Sequence, residues 1–393
     1  MTQKFIPFAK PDIGEAEIEE VVATLRSGWV TTGPKVKLFE QAFVDYLSSH
    51  HAGNPPLEAL AVNSATAGLH LALEALGVTQ GDEVIVPSYT FTASAEVVRY
   101  LGATPVFVDV EESSFNIDCD AIVAAITPRT RVIMPVHFAG LACDMNRIIQ
   151  IAQDHNVKVV EDAAHALPSS SGGALIGTHD SDAVVYSFYA NKTMTTGEGG
   201  MLVTRHPEVA ERARIMRLHG ISKDAFDRYS STKPAWYYEV VAPGFKYNMT
   251  DIAASLGIHQ LERLTRFQKI RESMAQRYNA LLAGLPLILP CNPDEGELHA
   301  RHLYPVRLQP ECRIDRDQFI QAMADKGVGC SVHFIPLHRQ PYWKDAFGLT
   351  PGQFPVADRL FEQEVTLPLY TAMTDADQVR VADAVRSVLE MQV

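Results

Sequence analysis

From about residue 57 onward, short apolar or β-branched runs alternate with amphipathic stretches of helix length. The runs at 60–62, 83–87, 105–110, 131–136, 157–161, 183–188 and 201–204 read as strands. Apolar residues at helical spacing mark 67–76, 93–101, 118–126 and 145–155 between them. This alternation predicts an α/β protein with a mainly parallel seven-stranded sheet covered by helices on both faces and connected by right-handed crossovers. Open sheets of this kind bind ligands at the carboxyl ends of their strands, so the chemistry is sought just after each run.

Beyond Gly244 the rhythm turns helical, over 249–264 and then 267–282, where Gly284 is placed to stop the helix and Pro286, Pro290 and Pro293 break the chain. A smaller unit follows, with strands expected at 303–308 and 330–335, a helix at 316–326 and a terminal helix at 375–391. The expected division is a large domain over 1–262 and a small C-terminal α/β domain over 263–393.

Composition narrows the function. The 393 residues carry a formal charge of −13, which excludes a surface built to hold nucleic acid by its phosphates. Five scattered cysteines lack the paired spacing of a zinc site or a disulfide framework, so a reducing compartment and no metal are expected. No signal-peptide core is present and no stretch reaches the roughly 18 apolar residues of a membrane span, so the expectation is a soluble, cytoplasmic protein.

The chemistry centres on Lys192, which closes a buried aromatic run and precedes Thr195-Thr196-Gly197-Glu198-Gly199-Gly200. Burial lowers an ammonium pKa, which is what a Schiff-base lysine needs, although a lone lysine more often reaches solvent from a loop. Asp162 directly follows the run 157–161 and points toward the ligand crevice, where it could keep a pyridine nitrogen protonated or merely cap the next turn. His165 lies three residues on, able to meet a ring oxygen or to be structural.

Asn63-Ser64-Ala65-Thr66-Ala67-Gly68 falls between a strand and a helix, where small residues leave backbone N–H groups free for an anion, or where Ser64 or Thr66 simply caps. Ser187 could add a hydroxyl to the same anion, and Phe91, after the second strand, could stack on a planar ring or belong to the core. An amine, an acid, a phosphate cradle and a stacking face at successive strand ends together suit pyridoxal 5′-phosphate.

Those motifs, with Ser27-Gly28-Trp29-Val30-Thr31-Thr32-Gly33-Pro34, Gly81-Asp82-Glu83-Val84-Ile85-Val86-Pro87, Pro135-Val136-His137-Phe138-Ala139-Gly140 and Val332-His333-Phe334, give a chain that resembles the DegT/StrS-type sugar aminotransferases of fold type I over nearly its whole length. The resemblance implies that Lys192 forms the Schiff base with the cofactor, Asp162 pairs with the pyridine nitrogen, and His165 lies near the ring hydroxyl. It also implies that Ala65, Thr66 and Ser187 hold the phosphate and Phe91 stacks on the ring. Active sites in this family lie at a homodimer interface, which makes Asn248, in Gly244-Phe245-Lys246-Tyr247-Asn248-Met249, the phosphate contact from the neighbouring subunit. Lys246-Tyr247-Asn248 stands where many members have Asn-Tyr-Arg, and is similar to the branch that makes UDP-4-amino-4-deoxy-L-arabinose.

The implied reaction transfers the amino group of L-glutamate to a nucleotide-linked keto sugar, at C4, for polysaccharide or glycoconjugate synthesis. His333 and Lys35 are the basic candidates for the sugar-nucleotide diphosphate. A related sugar dehydratase would carry histidine in place of Lys192, and a non-catalytic binding protein of this fold would have a degraded lysine or phosphate loop. A nicotinamide enzyme would need a Gly-x-Gly-x-x-Gly after the first strand, which is absent.

Overall fold

The strands of the large sheet are β1 (Glu58–Val62), β2 (Glu83–Pro87), β3 (Thr104–Val108), β4 (Thr130–Ile133) and β5 (Lys158–Asp162). After a two-residue hairpin, β6 (Ser170–Ser171) and β7 (Ala174–Leu175), come β8 (Ala183–Ser187) and β9 (Gly200–Thr204). The computed structural model describes residues 5–49, 56–222 and 238–390. The seven long strands lie in the order β1-β9-β8-β5-β4-β2-β3. All run parallel except β9, which pairs antiparallel with both β1 and β8. The near-continuous apolar character of β2, β8 and β9 follows from having both sheet faces covered.

Two hydrophobic clusters flank the sheet. Helices Ala65–Ala75, Ala93–Tyr100 and Pro207–Met216 contribute Leu69, Val97 and Ala210 to one. Helices Pro34–Ser48, Met145–His155 and Asp251–Glu262 contribute Phe39, Ile148 and Ala254 to the other. The second layer is locked by Asp251, whose carboxylate accepts hydrogen bonds from the backbone N–H of Gly33, at 2.7 Å, and of Val36, at 3.1 Å. These are orphan donors at the start of helix Pro34–Ser48, so one helix supplies the other's N-terminal cap. Helices Glu15–Ser27 and Pro34–Ser48 were not among the expected elements; their signals are local, a Glu17 carboxylate folding back on the Gly14 N–H and Pro34 at the first helical position.

Helix Asp251–Glu262 ends one residue before helix Leu264–Leu281 begins, and the second helix packs into a third cluster built on Tyr278, Phe319, Val365 and Val385. Its sheet has the order β10 (Leu287–Ile288), β11 (Tyr304–Leu308), β12 (Glu364–Leu367). The strand expected at 330–335 does not form. That segment makes one bridge, Ser331 to Thr366, and then turns its His333 N–H to the Glu364 carboxylate instead of to a neighbouring strand. The edge is taken by β12, in which Glu364 and Thr366 interrupt the apolar run. The terminal helix runs Asp375–Glu390, and Met391, expected in it, lies outside the described residues. Asp109, just after β3, accepts from the N–H groups of Val356 and Ala357, at 2.9 and 2.8 Å, and so caps helix Pro355–Gln363.

Candidate active site

The carboxyl ends of β2, β5 and β8 and the start of helix Ala65–Ala75 surround a cavity of about 540 Å³. Seven of the eight residues expected at a site line it: Ala65, Thr66, Phe91, Asp162, His165, Ser187 and Lys192. Asn248 lies outside this cavity, with its amide donating to Thr32 Oγ1 at 2.6 Å and its buried Oδ1 unpartnered among the described residues. The role expected of it belongs to a neighbouring subunit's site.

Lys192 sits in a loop tied down at several points. Its N–H donates to the Tyr189 carbonyl at 3.0 Å, Thr193 Oγ1 to the Leu167 carbonyl at 2.6 Å, and Thr195 Oγ1 to the Phe188 carbonyl at 3.0 Å. The side chain is half-buried, and desolvation brings its ammonium down to about 8 against the pull of Asp162. Burial pushes Asp162 the other way, above the usual carboxylate range, although Ser94 donates to Oδ2 at 2.8 Å and the Ala164 N–H to Oδ1 at 3.2 Å. Both shifts express the cost of ionising groups withdrawn from bulk water, and a bound cation beside the carboxylate would bring Asp162 back down.

Alternation along β5 turns Glu161 to the opposite face. There its fully buried carboxylate takes a 2.9 Å hydrogen bond from His137 Nε2. Burial would raise that carboxyl, but His137 holds it below the usual range. His137 Nδ1 accepts from the Cys143 N–H at 3.0 Å, which assigns the neutral ring's proton to Nε2. The same reasoning applies to His165, where the Ala139 N–H donates to Nδ1 at 3.3 Å; burial holds that imidazole neutral, so its proton is on Nε2.

Ser64 Oγ caps helix Ala65–Ala75 by accepting from the Ala67 N–H at 3.1 Å, leaving Ala65 and Thr66 at the cavity wall. Gly200 lets β9 approach this turn, since a Cβ there would stand 2.8 Å from Ala65 N. Phe91 is 57% exposed at the mouth, its ring 5.8 Å from that of Phe334. His333 lines the cavity, but burial drops its imidazole to about 3, so it is no cation there. Lys35 is corrected more fully: it is not a lining residue, and its amine pairs with Glu20.

Sequence reasoning gave no role to Ser94, Thr90, Tyr189, Asn191 or Phe334, although the last four line the cavity. Thr90 and Ser94 stand four residues apart, their hydroxyls 2.9 Å from each other, and a polar pair at that spacing beside an apolar strand was the available signal.

Comparison with known proteins brings the geometry to a family. The DegT/DnrJ/EryC1/StrS aminotransferase family profile matches residues 11–386. The Bacillus subtilis spore coat polysaccharide biosynthesis protein SpsC is 45% identical over 396 residues, covering 99% of each chain. The Streptococcus pneumoniae protein Spr1654, described as a sugar aminotransferase, superimposes in its PMP-form with a TM-score of 0.90 at 38% identity, covering 99% of this chain and 100% of that one. Helicobacter pylori PseC, an aminotransferase of pseudoaminic acid biosynthesis, gives 0.89 at 26% identity over 99% of this chain and 100% of its own.

The residues of this chain fit pyridoxal phosphate. A desolvated amine and a buried carboxylate line one cavity, and a helix N-terminus that a single Cβ on β9 would crowd lies in its wall.

Proposed function

Because the chain belongs to the DegT/DnrJ/EryC1/StrS aminotransferase family and is a pyridoxal phosphate-dependent aminotransferase, we propose that it aminates a nucleotide-linked 4-keto sugar with L-glutamate as donor. The observation that carries the reading is the lining of one cavity by both Lys192 and Asp162, within a chain whose relatives serve polysaccharide and pseudoaminic acid synthesis.

Bound there, pyridoxal phosphate supplies an electron sink that lowers the barrier to losing a proton from the carbon bearing nitrogen. Asp162 holds the proton on the pyridine nitrogen, and Ser94 and the Ala164 N–H keep its carboxylate aimed. Lys192 Nζ would hold the cofactor and, as a free amine, would take and return a proton; burial already brings that amine down to about 8 in this chain. Ala65, Thr66 and Ser187 hold the phosphate, with the helix N-terminus supplying N–H groups and its dipole. Phe91, at the cavity mouth, would cover the ring, and His165, with its proton on Nε2, would meet the ring oxygen. Asn248 reaches the phosphate of the neighbouring subunit in a homodimer.

The domain boundary is proposed at 262/263, where one helix ends and the next starts. Cytoplasmic action accords with the substrates, and among the described residues no helix is long and apolar enough to cross a membrane. Lys192 itself disfavours the dehydratase reading, in which histidine takes its place. The test incubates the cofactor-loaded protein with L-glutamate and UDP-, dTDP- and GDP-linked keto sugars and follows amino sugar and 2-oxoglutarate by mass spectrometry. Formation of one amino sugar supports the reading; a cofactor-loaded protein that aminates none contradicts it.

A further inference from the structure

His333 lines the cavity with a ring whose Nδ1 is tied to buried side chains of β12. Its Nδ1 lies 2.9 Å from Thr366 Oγ1, and that hydroxyl in turn hydrogen-bonds Glu364 Oε1. The other carboxyl oxygen, Oε2, accepts from the His333 backbone N–H at 3.0 Å. Glu364 and Thr366 are fully buried, and the paired backbones of Ser331 and Thr366 hold the two segments in register. His333 Nε2 has no partner among the described residues, while its ring forms part of the cavity wall.

Proton counting leaves this chain two arrangements. A threonine hydroxyl donates once, and Oε2 is occupied as an acceptor in both states, so any proton on Glu364 belongs on Oε1. With Glu364 protonated, Oε1–H donates to Thr366, Thr366 donates to Nδ1, and the neutral imidazole carries its proton on Nε2, as a donor toward the cavity. With Glu364 ionised, Thr366 donates to Oε1, Nδ1–H donates to Thr366, and Nε2 presents a bare lone pair. Passing from the first state to the second releases one proton at Nε2 while protons shift from Thr366 to Nδ1 and from Glu364 to Thr366, and no imidazolium forms.

We propose that Glu364 and Thr366 act as a buried proton relay that sets the tautomer of His333, so that Glu364 is a positioning residue deciding whether the cavity wall offers a substrate oxygen a donor or an acceptor. The part concerning the sugar nucleotide rests on the function proposed above; the relay itself does not. A donor suits the anionic oxygens of a diphosphate, and a bare lone pair repels them.

The surroundings of Glu364 favour a switch within the working range. The charged groups near it are Arg316, from helix Arg316–Asp325, whose guanidinium is hydrogen-bonded to the Phe361 carbonyl, and Arg307, its register partner on β11, which faces Glu112. Burial keeps the Tyr89 hydroxyl and the Cys330 thiol beside it in their neutral forms. Desolvation, opposed by Thr366 and the His333 N–H, brings the Glu364 carboxyl up to about 8.

Neutron diffraction on the substrate-free holoenzyme at about pH 6 and about pH 10 reads the tautomer directly. The relay predicts a deuteron on His333 Nε2 at the lower pH and on Nδ1 at the higher, and on Nε2 at both in Glu364→Gln, whose amide donates to Thr366 at any pH. The same tautomer at both pH values in the wild type overturns it. A second arm titrates the holoenzyme with UDP as probe. Its dissociation constant should rise about tenfold between about pH 7 and about pH 9 in the wild type and less than about twofold in Glu364→Gln, with Thr366→Ser, unlike Thr366→Val, retaining the wild-type profile. Parallel wild-type and Glu364→Gln profiles overturn the substrate role. Absence of UDP binding throughout, with the switch visible by neutrons, counts against the nucleotide-sugar reading and leaves the relay standing.

Discussion

Ser94 donates a 2.8 Å hydrogen bond from its hydroxyl to Oδ2 of Asp162, across 68 residues of sequence. The donor comes from the first turn of the helix after β2 and the acceptor from the end of β5, so the bond fixes the acid by tying that helix to the strand end. Ser94→Ala leaves one buried carboxylate oxygen without its donor, at a cost of about 1–3 kcal/mol. The expected outcome is a folded protein whose kcat/KM falls by about tenfold or more and whose absorbance band shifts, read by steady-state kinetics and spectral titration.

The depressed pKa of Lys192 makes its reactivity pH-dependent within an accessible window. The free amine is the nucleophile, and its fraction grows as pH rises through about 8 rather than 10.5. Stopped-flow uptake of pyridoxal phosphate by the apoprotein should therefore accelerate from about pH 7 to about pH 9 and then level off. A rate still climbing tenfold per pH unit above that range would mean an ordinary, solvated lysine.

Gly200 brings β9 against the turn that opens helix Ala65–Ala75, with a Cβ placed there 2.8 Å from both Ala65 N and Ser64 C. Both contacts are backbone and cannot swing aside. Gly200→Ala should weaken cofactor binding by about tenfold and destabilise the apoprotein by about 1–3 kcal/mol, measured by cofactor titration and urea unfolding.

Glu364 gives a stability signature with a definite sign. Its carboxyl titrates at about 8 in the fold against 4.5 without it, so between those values the unfolded chain releases a proton that the folded one keeps. Stability contributed at this position falls as pH rises through that window and levels above about 8. Glu364→Gln should gain on the wild type from about pH 5 to about pH 8, by up to a few kcal/mol, in denaturant melts at each pH. A constant difference would contradict a protonated buried carboxyl.

The sheet was legible in sequence because its strands are buried on both faces and read as apolar runs, as in Val84-Ile85-Val86 and Val184-Val185-Tyr186. Lys192 and Asp162 were legible because ionisable residues stand out at the ends of such runs. The strand at Glu364–Leu367 was hidden by the polar groups that give it interest, and the apolar stretch 330–335 drew the assignment instead. The N-terminal helices escaped because their caps are partly tertiary, as with Asp251 on Gly33 and Val36. Lys35 was misjudged because charge alone marked it, and a sequence does not tell that its amine meets Glu20.

The most direct test is to reduce the purified, cofactor-loaded protein with borohydride and map the modified peptide by mass spectrometry. The account predicts a phosphopyridoxyl group on Lys192, with Lys192→Ala losing the adduct and the transaminase activity while remaining folded. An adduct on another lysine, or full activity without Lys192, would contradict it.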